Sequence, residues 1–153
     1  MPIIFNLPTL KNKTMGALDY FKLCVTTKYS DFTGRARRSE YWYFVLVYSI
    51  PMLVLYGLAT MLMVAGSTTF STILLVLYFV AALALLIPSL AVAVRRLHDT
   101  SRSGWWLLIG IVPLIGGIAL LVFLVQDSQP GTNQWGPNPK APDNADEILS
   151  NLV

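Results

Sequence analysis

Residues 41–94 include no Asp, Glu, Lys, Arg or His. A bilayer crossing needs only about 20 apolar residues, so this 54-residue run is long enough for two. It divides at Gly66-Ser67-Thr68-Thr69, its one small polar cluster, into spans of 42–65 and 70–94. A third uncharged run covers 105–125. Within hydrocarbon only helices and closed barrels satisfy their own backbone. Unbroken runs such as Leu83-Ala84-Leu85-Leu86-Ile87 lack the alternation of a barrel strand. The chain is 55% hydrophobic and 12% charged, against soluble norms of about 45–50% and about 25%. These features predict an all-α integral membrane protein with three kinked transmembrane helices, and exclude an ordinary soluble globule and a disordered chain. Pro51, Pro88 and Pro113 supply one kink per helix.

Basic residues set the expected orientation. Lys11, Lys13, Lys22, Lys28, Arg35, Arg37 and Arg38 precede the first span, and Arg95, Arg96 and Arg102 lie in a 95–104 loop. The 66–69 connection has none and the tail has only Lys140. The segment 1–41 and the 95–104 loop are thus expected in the cytoplasm, and the 126–153 tail outside. Tyr41, Trp42 and Tyr43, with Trp105 and Trp106, suit an interfacial aromatic belt. One alternative stays open for the third span. Pro113 and Gly116-Gly117 interrupt it, and a re-entrant hairpin would return the tail to the cytoplasm.

No cleavable signal peptide is evident, and the first span is expected to act as an uncleaved anchor. Residues 15–28 are loosely amphipathic, with Leu18, Phe21 and Val25 opposed to Asp19 and Lys22. They predict a short helix lying on the membrane surface; a helix packed on the bundle is the alternative. The tail from Gln126 is rich in Pro, Gly and Asn and reads as turns, with a turn of helix near 145–149. Cys24 is the only cysteine, so it forms no internal disulfide and reads as an inert apolar residue.

Three motifs stand out. They are Gly34-Arg35-Ala36-Arg37-Arg38-Ser39-Glu40-Tyr41-Trp42, then Arg95-Arg96-Leu97-His98-Asp99-Thr100-Ser101-Arg102-Ser103-Gly104-Trp105-Trp106, then Gln129-Pro130-Gly131-Thr132-Asn133-Gln134-Trp135-Gly136-Pro137-Asn138-Pro139. In this order, around an apolar pair of spans, they resemble the bacterial inner-membrane family called domain of unknown function 805. The resemblance covers about residues 17 to 140. It implies a small multi-spanning protein of the bacterial cytoplasmic membrane, and it brings no activity or catalytic residues to carry over.

The motif loops use Arg alone as their cation, the residue suited to two-point contact with a carboxylate or phosphate. Glu40 or Asp99 is expected to pair with an arginine of the other loop, and Arg95 with Asp99 at helical spacing. The candidate residues for a structural network, a lipid headgroup or a partner are Arg35, Arg37, Arg38, Glu40, Arg95, Arg96, His98, Asp99 and Arg102. The simplest role for such cations is to fix topology and reach anionic headgroups.

His98-Asp99 with Ser101 and Ser103 invites a catalytic reading, but adjacent helical residues point about 100° apart. His98 is expected to bond a loop carbonyl and Asp99 or Ser101 to cap a helix. It is the only histidine, so no metal site of several histidines and no cofactor is expected. Asp127, Asn133 and Asn138 are too sparse in carboxylates for calcium, and Trp135 is expected at the interface. The spans carry no ionisable residue of the kind coupled carriers use. The leading expectation is a non-enzymatic accessory or scaffold subunit, or a homo-oligomer. A transporter or channel component and an anionic-lipid binding or sensing protein are the alternatives. A net charge of +3 is too small to point to nucleic acid.

Overall fold

The structure is a computed structural model and describes residues 15–140. The turn of helix expected near 145–149 lies outside them. Among the described residues the chain is helical: α1 (Ala17–Val25), α2 (Arg38–Val64), α3 (Thr68–Asp99), a 3-10 helix (Gly104–Ile111) and α4 (Ile115–Val125).

At 1.5 Å per residue, α2 is about 40 Å long and α3 about 48 Å, against a hydrocarbon thickness of about 30 Å. Both run unbroken through Pro51 and Pro88. They are long and apolar enough to cross a membrane. Only 6% of the most apolar stretch of either helix is buried, which sets them apart from the core helices of a soluble protein. The turn between them is a Schellman motif. Gly66 takes φ +85, its N–H donates to Met63 O (3.1 Å), and Ser67 N–H donates to Leu62 O (3.0 Å).

The second span is longer than its uncharged sequence. The 95–104 loop expected from the charges is half helix: Arg95 to Asp99 complete α3 and are buried. Pairing with acids lets the helix carry its arginines inside the fold. The left-handed residue that ends it is Ser101 (φ 58), and Arg102 N–H closes on Leu97 O at 3.0 Å.

The third expected span is corrected. Residues 105–125 do not form one crossing helix. The 3-10 helix stops at Val112, whose extended backbone (ψ 115) is what a following proline imposes. Leu114 turns the chain at φ 64, and α4 runs back antiparallel. Trp106 meets Phe123 edge-on at 5.5 Å. A Cβ on Gly116 would lie 1.8 Å from Ile109 O, so only glycine lets the two arms meet. Both ends of this hairpin lie at the arginine end of α3. Residues 126–140 therefore pack beside the two arginine motifs, not at the far end of the helices as expected for the tail.

Of the two placements expected for the N-terminal helix, the structure has the one packed on the bundle: Phe21 and Val25 of the expected apolar face meet the core, Leu18 is exposed, and Tyr20 and Cys24 are buried. α1 packs on α2, with Phe21 stacked on Phe44 (5.7 Å) and Tyr20 on Tyr43 (5.9 Å). The small Cys24 side chain admits this approach and joins Ala36, Phe44 and Val92 in the core. That core sits at the arginine end of the molecule.

Candidate functional site: a buried arginine cluster

Asp99 is the centre of the cluster. Its Oδ1 accepts from Arg35 Nε at 2.9 Å. Its Oδ2 accepts from Arg96 Nη1 and from the Ser128 hydroxyl, both at 2.5 Å. One carboxylate thus ties the first loop, the end of α3 and the segment after α4. Its main-chain carbonyl, an orphan of the helix end, accepts from Gln129 N–H at 2.9 Å.

Arg35 uses all five of its N–H donors. Besides Asp99 Oδ1, they reach Asp99 O (3.3 Å), Gln129 O (2.6 Å), Gly131 O (2.8 Å) and Gly136 O (3.2 Å). Its side chain is 1% exposed and that of Asp99 0%. Arg96 completes its own set with Leu124 O at 3.1 Å and with Gln126 O. The planar fork thereby sets the path of the chain after α4, which a lysine's point charge would not.

A second ion pair stands beside the first. Arg95 Nη2 donates to Glu40 Oε1 at 2.9 Å and Arg95 Nη1 to Asp31 O at 2.5 Å. Lys28 Nζ lies 3.7 Å from the same carboxylate. Glu40 also sits in the first turn of α2, where the helix dipole favours an anion. Cys24 Sγ approaches Glu40 Oε1 (4.0 Å) and Arg95 Nη2 (3.8 Å). Burial first, and the Glu40 charge second, push the Cys24 thiol up to about 11. The residue expected to be merely apolar therefore borders a buried ion pair.

Both expected inter-loop acids find an arginine across the loops, Glu40 with Arg95 and Asp99 with Arg35. The expected Arg95–Asp99 pair does not form. Asp99 takes Arg96 at i,i+3 instead, because Arg95 points toward α1 and α2. Nor does Asp99 cap a helix, since its oxygens are engaged by cations and Ser128.

His98 bonds a loop carbonyl, with Nδ1 3.1 Å from Gly34 O. Its ring stacks on Trp135 at 4.4 Å and 8°, so Trp135 folds onto the cluster. Asn133 Nδ2 donates to His98 O at 2.9 Å. Arg38 and Arg102 line the rim. Arg38 Nη2 reaches Asp127 Oδ2 (3.1 Å). Arg102 reaches Gln126 Oε1 (2.6 Å) and covers the Phe123 ring at 4.1 Å. Arg37 precedes α2 half-buried, with no side-chain hydrogen bond or ion pair among the described residues. Asp127 also pairs with Lys140, whose hydrogen bond is the first cause holding its carboxyl below the usual range. The Thr33 hydroxyl does the same for Asp31.

The segment 126–136 was not legible as part of this site. It contributes mostly main-chain carbonyls, which no side-chain pattern announces. Its signal is the turn chemistry of Gln129 to Pro139, which marks a bent path but not what the path encloses.

Fold and site together define a class: a small all-helical protein with a membrane-like surface and a closed arginine–carboxylate cluster at one end. The chain belongs to the family described as "Protein of unknown function (DUF805)", whose model matches residues 29–137. It is 43% identical to the Inner membrane protein YhaH of Escherichia coli (strain K12) over 126 residues, covering 80% of this chain and 98% of that protein. It is 41% identical to the Inner membrane protein YhaI of the same strain over 118 residues, covering 77% and 93%. No solved structure matches.

Proposed function

We propose that the chain is a multi-pass protein of the bacterial inner membrane that acts by binding: an accessory or scaffold subunit of a larger membrane assembly, or a homo-oligomer. α2 and α3 cross the bilayer in this reading, and the hairpin enters it from one side without crossing. The names of the two relatives support the location. None of the charged residues among 15–140 falls between Tyr41 and Val94; they are nine cations against five acids, and this excess on the arginine side of α2 and α3 favours that side facing the cytoplasm.

The observation that carries the binding role is a division of labour. Arg35, Arg95, Arg96, Glu40 and Asp99 are buried and spend their bonds on the protein's own chain. The most apolar stretches of α2 and α3 stay largely unburied. Internal pairing also removes Arg95 and Arg96 from headgroup contact. Changing them to Gln tests the fold, and an anionic-lipid role falls to the rim residues Arg37, Arg38 and Arg102.

The test is extraction in native lipid particles followed by mass spectrometry of what stays bound. A stoichiometric partner, or a defined multiple of this chain, is the expected result. A monomer with no protein partner would overturn the reading. Solute uptake by the purified protein in liposomes would favour a transport component instead.

A further inference from the structure

Residues 28–34 are bonded to α3 on both sides of Pro88. After the proline, Arg95 Nη1 donates to Lys28 O at 3.4 Å and to Asp31 O at 2.5 Å, and His98 Nδ1 lies 3.1 Å from Gly34 O. Before it, the Tyr29 hydroxyl donates to Ala84 O at 2.6 Å. We propose that this segment is a splint across a hinge in α3 at Pro88, with the Tyr29 hydroxyl as its releasable latch. The device goes beyond the binding role and does not depend on it.

The identity of the acceptor carries the inference. In an α-helix the carbonyl of residue i accepts from the N–H of residue i+4. For Ala84 that residue is Pro88, which has no N–H and whose ring crowds the same carbonyl. Tyr29 thus donates to the carbonyl that the proline deprives. One residue further along α3, Ser89 Oγ donates back to Leu85 O at 2.6 Å, a contact that tends to bend helices. Two bending features therefore meet in one turn, yet α3 runs unbroken from Thr68 to Asp99. With the latch closed, the apolar half of α3 is held in line with the half that carries Arg95, Arg96 and Asp99. With it open, Ala84 O loses its donor and the two halves tilt about the proline. Tyr29 is 37% exposed, so its ring can swing away without unpacking the core. Because the other end of the splint is bonded to Arg95 and His98, the direction of the apolar half is coupled to the closure of the arginine cluster.

The test is amide hydrogen exchange read by mass spectrometry on the full chain in detergent micelles. It compares wild type, Tyr29→Phe, Pro88→Ala and the double variant. Tyr29→Phe removes only the latch hydroxyl. Amides of residues 85–92 should then exchange about fivefold faster, the factor one net hydrogen bond supplies, while those of α4 are unchanged. Pro88→Ala returns an N–H to Ala84 O, so adding Tyr29→Phe to it should change exchange by less than about twofold. Pro88 is fully buried; should Pro88→Ala not fold, Pro88→Val keeps more of the volume and returns the same N–H. Unchanged exchange in Tyr29→Phe overturns the latch. Equal acceleration with and without the proline, or along every helix alike, overturns the hinge and makes Tyr29 an ordinary packing residue.

Discussion

Arg35 and Asp99 stand 64 residues apart in sequence and 2.9 Å apart in space, in a contact from which solvent is almost wholly excluded. Asp99 is the sole acid among the described residues paired with two buried arginines, Arg35 and Arg96. A buried pair of this kind contributes little as a pair, but breaking it leaves uncompensated charge, at a cost of about 3–5 kcal/mol.

Asp99→Asn should therefore strand two guanidinium groups and lower the thermal midpoint of the purified protein sharply. Arg35→Lys should be nearly as damaging despite keeping the charge. Lysine has three donors where five acceptors wait, and each buried carbonyl left unpaired costs about 1–3 kcal/mol. A midpoint for Arg35→Lys close to wild type would show that the fork geometry does not matter.

The hairpin makes a topological prediction. In a Cys24→Ala background, single cysteines introduced at Thr33, Ser103 and Asn138 should all react with an impermeant maleimide from the same side of sealed vesicles. Labelling of position 138 from the opposite side would restore the crossing third span.

Two neighbouring glycines should respond differently to the same change. Gly116→Ala drives a methyl into Ile109 O and should cost about 2 kcal/mol or more, with loss of the Trp106–Phe123 contact. Gly117→Ala meets nothing within 4 Å and should shift stability by no more than about 0.5 kcal/mol. Equal thermal midpoints for the two variants would argue against the close approach of the arms.

Alkaline pH should expose the position of Cys24. The thiol titrates at 9.0 in an unconstrained chain and at about 11 in the fold. Between these values the unfolded chain gives up its proton first. The contribution is thus intact below pH 9 and lost as pH rises toward 11. The thermal midpoint should fall more steeply over that window in the wild type than in Cys24→Ala, and parallel profiles would place the thiol in a more solvated setting.

Acid should act on the rim through Asp127. Its carboxyl titrates below the usual range, so its stabilising pairing with Lys140 and Arg38 is present above that range and fades as pH falls through the lowered value. Trp135 fluorescence should report this loosening only in strong acid, and Asp127→Asn should remove the acid transition. A transition that survives that substitution would belong to another carboxylate.

The linear chain settled the helical class, the two long apolar helices and the turn at Gly66, because each follows from local composition: absent charge, length and a glycine able to take positive φ. It also announced that Glu40 or Asp99 would reach an arginine across the loops, since an acid beside several cations at a helix end has few other neighbours; in the fold both do. What it left open was decided by contacts between distant residues. Hydropathy reports that residues 105–125 are apolar but not whether they cross or return; the encounter of Gly116 with Ile109 O decides that. Helical spacing offered Arg95 to Asp99, but the packing of α1 on α2 drew Arg95 to Glu40 and left Arg96 for Asp99. The segment after α4 owes its place to main-chain carbonyls bonded to Arg35 and Arg96, groups every residue carries and no sequence pattern distinguishes.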